Sequence, residues 1–571
     1  MVTLLVLFIL GTAEGQSWVW GTQGTTYSDP QVRCIAADSK GNVYSTGYFR
    51  DSISFGTYHL TSTLYDAFLV KYDSSGNILW LRQSNTSGGT PTYDQCTVTT
   101  DASDNIYISG EFTGTIHFGS ITLASSSWAI FLVKFNANGT PIWGVQTMNT
   151  TSGYEFANSI TTDDSANVFI TGSFADSITF GPIKFHSNVA TVQLFIAKYD
   201  SSGNVCWAKA SKGYSNHCIG QGNAVSCDAS GNAYVTGIFM DTISISSLTF
   251  TSLACPCIVY PYYDMFLLKY DGNGNLIWGK QTNAQPPNGS INAQSVINDR
   301  YGNVYVTGQF QDTVIIGGFT IIGAGTFLTK YDFNGNAVWV KTAGFGGWAG
   351  YSLACDRNDN LYFSCGANGS TYPTENFCNE NLSINGATDP SIFLKLDTAG
   401  NAFSGSIIRT GGDDENYIAC SPNGKYVYVG GDIWDTITFG NNLLNNLGTE
   451  TPFLARLEFP GNPESIFEIT NQLNSLSLFP NPNTGVFTLE VNSEKLKVNS
   501  VEVYNVMGQK VYSTPSQQPM NVHSTFMSRS EGGASFTYPI NMCYAPSGVY
   551  LYRVVNENGA LVGEGKFVIE K

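Results

Sequence analysis

Catalysis needs convergent polar groups, and those able to do chemistry in this 571-residue chain are few and scattered. The histidines are His59, His117, His186, His217 and His523, with no H-x-x-x-H pair to seat zinc and no recognisable order of serine, histidine and acid. Acids recur in a single setting, where Asp73, Asp200, Asp271 and Asp332 each open a D-x-x-G-N segment. A carboxylate there caps the backbone N–H groups of a tight turn, so the repetition predicts scaffolding and no catalytic residue is assigned. Asp271-Gly272-Asn273-Gly274-Asn275 opens like a calcium loop, but Leu276 stands where glycine is wanted and Thr282 where the bidentate glutamate belongs. No metal and no cofactor is expected. The recurring Lys71, Lys134, Lys198, Lys269, Lys330 and Lys395 read as surface or inter-repeat ion-pair residues rather than ligand contacts.

Cysteines number twelve. Cys227, Cys355 and Cys420 occupy one equivalent small-residue position, filled elsewhere by Ala37, Thr100, Thr162 and Asn298, and read as buried thiols. Cys206, Cys218, Cys255, Cys257 and Cys378 lie nearer loops, where bridges can form in an exported chain. The C-P-C at Cys255–Cys257 is not C-x-x-C, so neither a redox motif nor a zinc knuckle is supported.

The elements that carry these residues follow from internal repetition. G-N-V-Y-V-T-G-Q-F-Q-D-T from Gly302 recurs from Gly41, Asp104, Ala166 and Gly231, and in weaker form from Asp359 and Gly424, roughly every 65 residues. A second block, such as DAFLVKYDSSGNILW ending at Trp80, recurs to Trp143, Trp207, Trp278 and Trp339. Both blocks have alternating β-branched and aromatic residues around a Gly-Asn turn, the pattern of a hairpin. Four strands in each of seven units predict an all-β, seven-bladed β-propeller. The last unit runs out after Thr451-Pro-Phe-Leu-Ala-Arg-Leu-Glu458, while Ser17-Trp18-Val19-Trp20-Gly21 matches the fourth strand elsewhere, so the N-terminal strand is expected to close the last blade.

This pattern resembles the SBBP family of bacterial β-propeller repeats over roughly residues 17–458. A different vocabulary follows: Pro480-Asn481-Pro482 with Gly485 and Phe487, then Val501-Glu-Val-Tyr-Asn-Val-Met-Gly508-Gln509, then Pro546-Ser-Gly548-Val-Tyr550. These three motifs in order resemble the C-terminal sorting domain of type IX secretion cargo of Bacteroidetes, a small β-sandwich. The resemblance implies type IX machinery as a partner, passage through the periplasm, and release or attachment at the outer-membrane surface. Ser513–Tyr538 is longer than the link usual there. The triads at Asp51, Asp176, Asp241, Asp312 and Asp435 resemble the D-[ST]-aliphatic acceptor of Bacteroidetes O-glycosylation, and their equal placement is also what a turn cap gives.

The expected organisation is a signal peptide over 1–15, the propeller over 16–458, a Pro/Gly-containing linker over 459–475 and the sorting domain over 476–571. The apolar run Val2 to Leu10 is too short for a transmembrane span of about 20 residues. A net charge of −17 with no basic run argues against nucleic acid.

Connections between hairpins and between units vary while the hairpin turns hardly do, so ligand contacts are expected on the variable side. Tyr27, Tyr93, Tyr154, Tyr214, Trp348, Tyr351 and Tyr417 lie there, beside Asp29, Asp94, Glu155, Asp413, Asp414 and Glu415. Rings beside carboxylates suit a glycan or a protein hot spot, and also simple packing between units. The expectation is a non-catalytic binding or adhesion module at the cell surface or secreted. A polysaccharide hydrolase or lyase, or a structural surface or gliding-associated protein, stays open.

Overall fold

A computed structural model describes residues 17–26, 30–88, 95–149, 153–187, 191–215, 217–252, 262–344, 352–366, 374–383, 390–409, 416–433, 436–439, 442–445, 451–459, 476–481, 483–492, 498–505, 510–513, 535–543, 545–556 and 561–571. The predicted signal peptide lies outside these, as does the predicted linker beyond Phe459. Every described element is a β-strand, in several antiparallel sheets, none closed on itself. The chain divides into two compact units, Met1–Asn462 and Pro463–Lys571.

In the larger unit each repeat forms one four-stranded sheet in chain order. The fourth repeat, Ile219–Cys227, Ala233–Met240, Asp264–Tyr270 and Leu276–Gln281, is representative. Its two middle strands are buried throughout, because both sheet faces are covered, so they read as continuous apolar runs rather than alternations. The seventh sheet takes three strands from its own repeat, and its fourth is Ser17–Thr26, which pairs with Thr451–Glu458 from Ser17↔Glu458 to Gln23↔Phe453.

The turn that begins each of the first six repeats is a hydrogen-bonded knot around one aspartate, and Ser421 takes its place in the seventh. Asp228 accepts the backbone N–H groups of Ser230 and Asn232, the Asn232 side chain at 2.8 Å and the Tyr234 hydroxyl at 3.0 Å. Lys269 lies over the Tyr234 ring at 4.8 Å and is buried, so the recurring lysines are internal rather than surface groups. Asp38, Asp101, Asp299 and Asp356 bind the equivalent tyrosine in the same way. The aspartates of the second block cap their turns as expected: Asp73 accepts the Ser75 and Asn77 N–H groups and the Asn77 side chain.

Neighbouring repeats are joined through the second turn. Trp207 and Lys198 of the third repeat both donate to the Gly272 carbonyl of the fourth, at 3.1 and 3.2 Å. Gly274 in that turn has φ +80°, and a Cβ there would lie 2.6 Å from the Trp207 ring, so only glycine fits. Trp143 and Lys134 meet Ser201 likewise, and Trp80 and Lys71 meet Ala137. Between the last repeat and the first, Trp20 and Arg456 both donate to the Ser74 carbonyl, at 3.1 and 2.7 Å.

The segments expected as variable loops after the second strand are largely ordered hairpins. Arg50–Asp66 continues the two middle strands around Gly56, and Thr242–Ile245 with Leu248–Thr251 forms a separate pair. Asp51, Asp176, Asp241 and Asp312 start these hairpins with φ between +59° and +69°, a conformation that aspartate tolerates better than most side chains. The aliphatic residue two positions on is fully buried at Ile53, Ile178, Ile243 and Val314. These four triads thus start hairpins, Asp435 lies outside the described residues, and the hairpins cross-link repeats: Ser211↔Ile245 joins the third to the fourth, Asn283↔Ile315 the fourth to the fifth, and Gly24↔Phe55 the seventh to the first.

Gly274→Ala should destabilise the full-length protein by about 2 kcal/mol or more, since it adds left-handed strain to a clash. Gly318→Ala, whose methyl meets nothing within 4 Å, should stay within about 0.5 kcal/mol. Guanidinium denaturation of both variants checks this contrast.

Candidate functional site

Three of the seven rings proposed as ligand contacts are described. Tyr154 and Tyr214 are well exposed, at 57% and 65%, and Tyr417 is half-buried against the core shared by the first and last repeats. Tyr154 stacks on Phe156, with centroids 6.3 Å apart at 11°, and Tyr214 donates its hydroxyl to Ser244 at 3.0 Å. No ring contact joins any two of the three among the described residues. Tyr27, Tyr93, Trp348 and Tyr351 lie outside the described residues, as do Asp29, Asp94, Asp413, Asp414, Glu415, Cys255 and Cys257.

Glu155 does not face a ligand, because it is 1% exposed. At the start of the third strand, Asp66 accepts Ser84 Oγ and the Thr86 N–H, and Asp264 accepts Thr282 Oγ1 and the Ala284 N–H. In the third repeat Gln193 takes this place and accepts Ser211 Oγ at 2.9 Å. The second repeat has Ala129 there, and Glu155 arrives from the next repeat to accept Thr147 Oγ1. Its other oxygen, Oε1, has no partner, and burial pushes its pKa up to about 8. Glu155 therefore fills a structural niche as a neutral acid.

All ten described cysteines are free. Cys227, Cys355 and Cys420 are partly buried, and desolvation pushes the Cys227 thiol up to about 12, far from a reactive thiolate. Cys218 is buried too, and only Cys206 and Cys543 are exposed. No group of three or more metal-ligating side chains occurs among the described residues. Ser54 and His59 meet at 2.7 Å on an exposed hairpin.

Two exposed rings were missed in the sequence. Tyr301 and Phe333 stand 66% and 58% exposed on the two turns of the fifth repeat, where other repeats carry residues such as Ser103, Ser165 and Ser230 at the first position and Ser74 and Ser201 at the second. The signal was a departure from the repeat, and alignment on shared residues passes over it.

The smaller unit packs the sheet Leu476–Phe479, Val486–Asn492, Ser535–Asn541 with the sheet Lys510–Ser513, Val498–Asn505, Gly548–Asn556, Leu561–Ile569 around Phe487, Val503, Tyr552 and Phe567. The first sorting motif holds the last strand. Asn481 Oδ1 accepts the Val568 N–H at 2.9 Å, the Asn483 N–H donates to the Val568 carbonyl, and the Glu570 N–H donates back to Asn483. Asn483 Oδ1 caps the Gly485 N–H at 2.7 Å, and Gly485 has φ +98° against Met542. Pro480 is exposed beside them. The Tyr550 hydroxyl donates to the Pro546 carbonyl at 2.8 Å and so ties the strand that Gly548 opens to its preceding turn. Pro482, Gly508 and Gln509 lie outside the described residues. Glu502 accepts Lys510, Tyr504 and Arg553, whose hydrogen bonds hold its carboxyl down to about 2.

The family described as a secretion system C-terminal sorting domain matches residues 477–570. The uncharacterised WD repeat-containing protein L264 of Acanthamoeba polyphaga mimivirus is 23% identical over 372 residues, 54% of this chain and 26% of that protein. The chain thus spans about a quarter of the curated relative it matches. A solved DUF4221 family member from Bacteroides vulgatus shares 9% identity at a TM-score of 0.26, covering 78% of this chain and 98% of its own. PorZ, a surface component of the type-IX secretion system of Porphyromonas gingivalis, shares 10% identity at a TM-score of 0.20, covering 95% and 81%. The sorting domain marks the protein for type IX export to the cell surface or beyond and for engagement of that machinery. Among the described residues no helix is long and apolar enough to cross a membrane.

A carboxyl whose folded pKa is raised binds more protons folded than unfolded, so stability falls as pH rises between the usual carboxylate value and that of the folded state. For Glu155 the window is 4.5 to about 8. Chemical denaturation from pH 5 to 8.5 should therefore show Glu155→Gln losing less stability with pH than the parent, by up to roughly 1.4 kcal/mol per pH unit. Asn483→Ala should loosen the last strand, seen as faster amide exchange over Leu561–Ile569.

Proposed function

We propose that the larger unit is a seven-bladed β-propeller of the SBBP-like kind, spanning 16–458 and closed by its N-terminal strand. On this reading a signal peptide precedes it over 1–15, a linker follows over 459–475, and the sorting domain occupies 476–571. The pairing of Ser17–Thr26 with Thr451–Glu458, together with the shared Ser74 acceptor, supports the ring. The first three joints repeat one another, as rotation about a common axis requires.

The exported unit acts as a non-catalytic recognition or adhesion module for glycan or protein. The observation that carries this reading is where the polar groups go. The repeated aspartates and lysines are consumed in turns and joints, and Glu155 is buried. Its connections instead present exposed rings such as Tyr154 and Tyr214. Tyr27, Tyr93, Trp348, Tyr351 and Tyr417 are proposed as further ligand contacts on that side.

Full-length protein should bind a member of a panel of polysaccharides and matrix proteins saturably and without product. Tyr154→Ala, Tyr214→Ala or Trp348→Ala should weaken that binding several-fold by calorimetry. Turnover of a bound polysaccharide would make it an enzyme. In the native host, removal of 476–571 should leave the protein inside the cell envelope, read by fractionation and immunoblot.

A further inference from the structure

We propose that the turns of the fifth repeat carry a second recognition site, built on Tyr301 and Phe333, for a neutral glycan. It rests on the recognition reading above but on different residues, in hairpin turns rather than in the connections between repeats.

Both turns are rigid. Asp299 accepts the Tyr301 N–H at 3.0 Å, and Asp332 accepts the Asn334 and Asn336 N–H groups at 3.0 and 2.8 Å. They are also adjacent, since a Cβ on Gly302 would lie 3.6 Å from Phe333 Cβ. Trp278 of the preceding repeat donates its indole N–H to the Phe333 carbonyl at 3.1 Å, which fixes the second turn from below. The other repeats form the same turns with lysine, serine or asparagine at the first tip and serine, alanine, glycine or threonine at the second, so neither ring is needed for the turn. Two adjacent aromatic rings left in water on a fixed backbone gain nothing for the core and present a platform for a ligand.

The size and charge of the patch select the ligand. A buried aromatic side chain removes about 150–250 Å² from water, so two rings roughly three-fifths exposed offer on the order of 250 Å². A stable protein interface needs about 800 Å² from each partner, whereas a few sugar rings match the smaller figure. Arg300 lies 5.0 Å from the Tyr301 centroid but is already paired with Asp359 at 2.8 Å. The patch is therefore close to neutral on a chain of net charge −17, which disfavours an anionic polymer. Pyranose C–H faces stack on the two rings, while the Tyr301 hydroxyl and the outer N–H groups of Arg300 supply hydrogen bonds to sugar hydroxyls.

The test is calorimetric titration of the full-length protein with cellohexaose, mannohexaose, laminarihexaose and xylohexaose. Tyr301→Ser with Phe333→Ser installs the small residues other repeats carry, so the double variant should melt with the parent. At least one oligosaccharide should bind, and the double variant should lose about tenfold or more in affinity. Undiminished binding by the double variant overturns the inference and leaves the recognition reading intact. Failure of all four sugars to bind the parent also overturns it, and saturable binding of a protein in that case preserves recognition alone.

Discussion

The larger unit depends on one recurrent contact: in the first three repeats a tryptophan and a lysine donate to a single carbonyl in the next repeat's turn, while the fourth shows the tryptophan's bond and the fifth the lysine's. It demands three things at once. The indole must lie flat under a turn with no Cβ, which is why Gly139, Gly203, Gly274 and Gly335 sit against Trp80, Trp143, Trp207 and Trp278. The lysine must cross a buried region, where a tyrosine face and an aspartate receive its charge, as at Tyr107 and Asp101 for Lys134. That aspartate must be held by its own turn. Chemistry-bearing residues therefore recur because the joint recurs, and their repetition carries no catalytic meaning.

The last joint differs in its parts while keeping its geometry. Arg456 replaces the lysine and Trp20 comes from the other end of the chain, yet both reach Ser74 as the internal pairs reach their carbonyls. Asp432 accepts the Val32 N–H across the same joint, as Glu111 accepts Ala157 between the second and third repeats. Joining the chain's ends in one sheet leaves each repeat flanked by two others, and this is what the proposed ring requires.

The repeats, their turns and the Trp20 strand were legible in the sequence, because Gly-Asn turns and alternating strands state their geometry locally. The Arg50–Asp66 hairpin was not, since Asp51 breaks the register with a left-handed residue and hides the alternation of Ile53 and Phe55. The role of Glu155 depends on Ala129, a residue distant in sequence, so exposure was the natural but incorrect reading. The recurrent lysines read as surface or inter-repeat ion-pair groups because the ring that covers Lys71, Lys134, Lys198, Lys269 or Lys330 belongs to another hairpin. In the smaller unit the motif letters were plain, but the hold of Asn481 and Asn483 on the last strand appears only in three dimensions.

Closure by the N-terminal strand is the claim on which the rest stands, and amide hydrogen exchange of the full-length protein tests it most directly. If Ser17–Thr26 completes the seventh sheet, the amides of this strand that bond to Thr451–Glu458 should be protected to the same degree as those of the internal fourth strand Leu276–Gln281. Exchange of these amides at the rate of a frayed terminus, with Leu276–Gln281 still protected, would contradict closure.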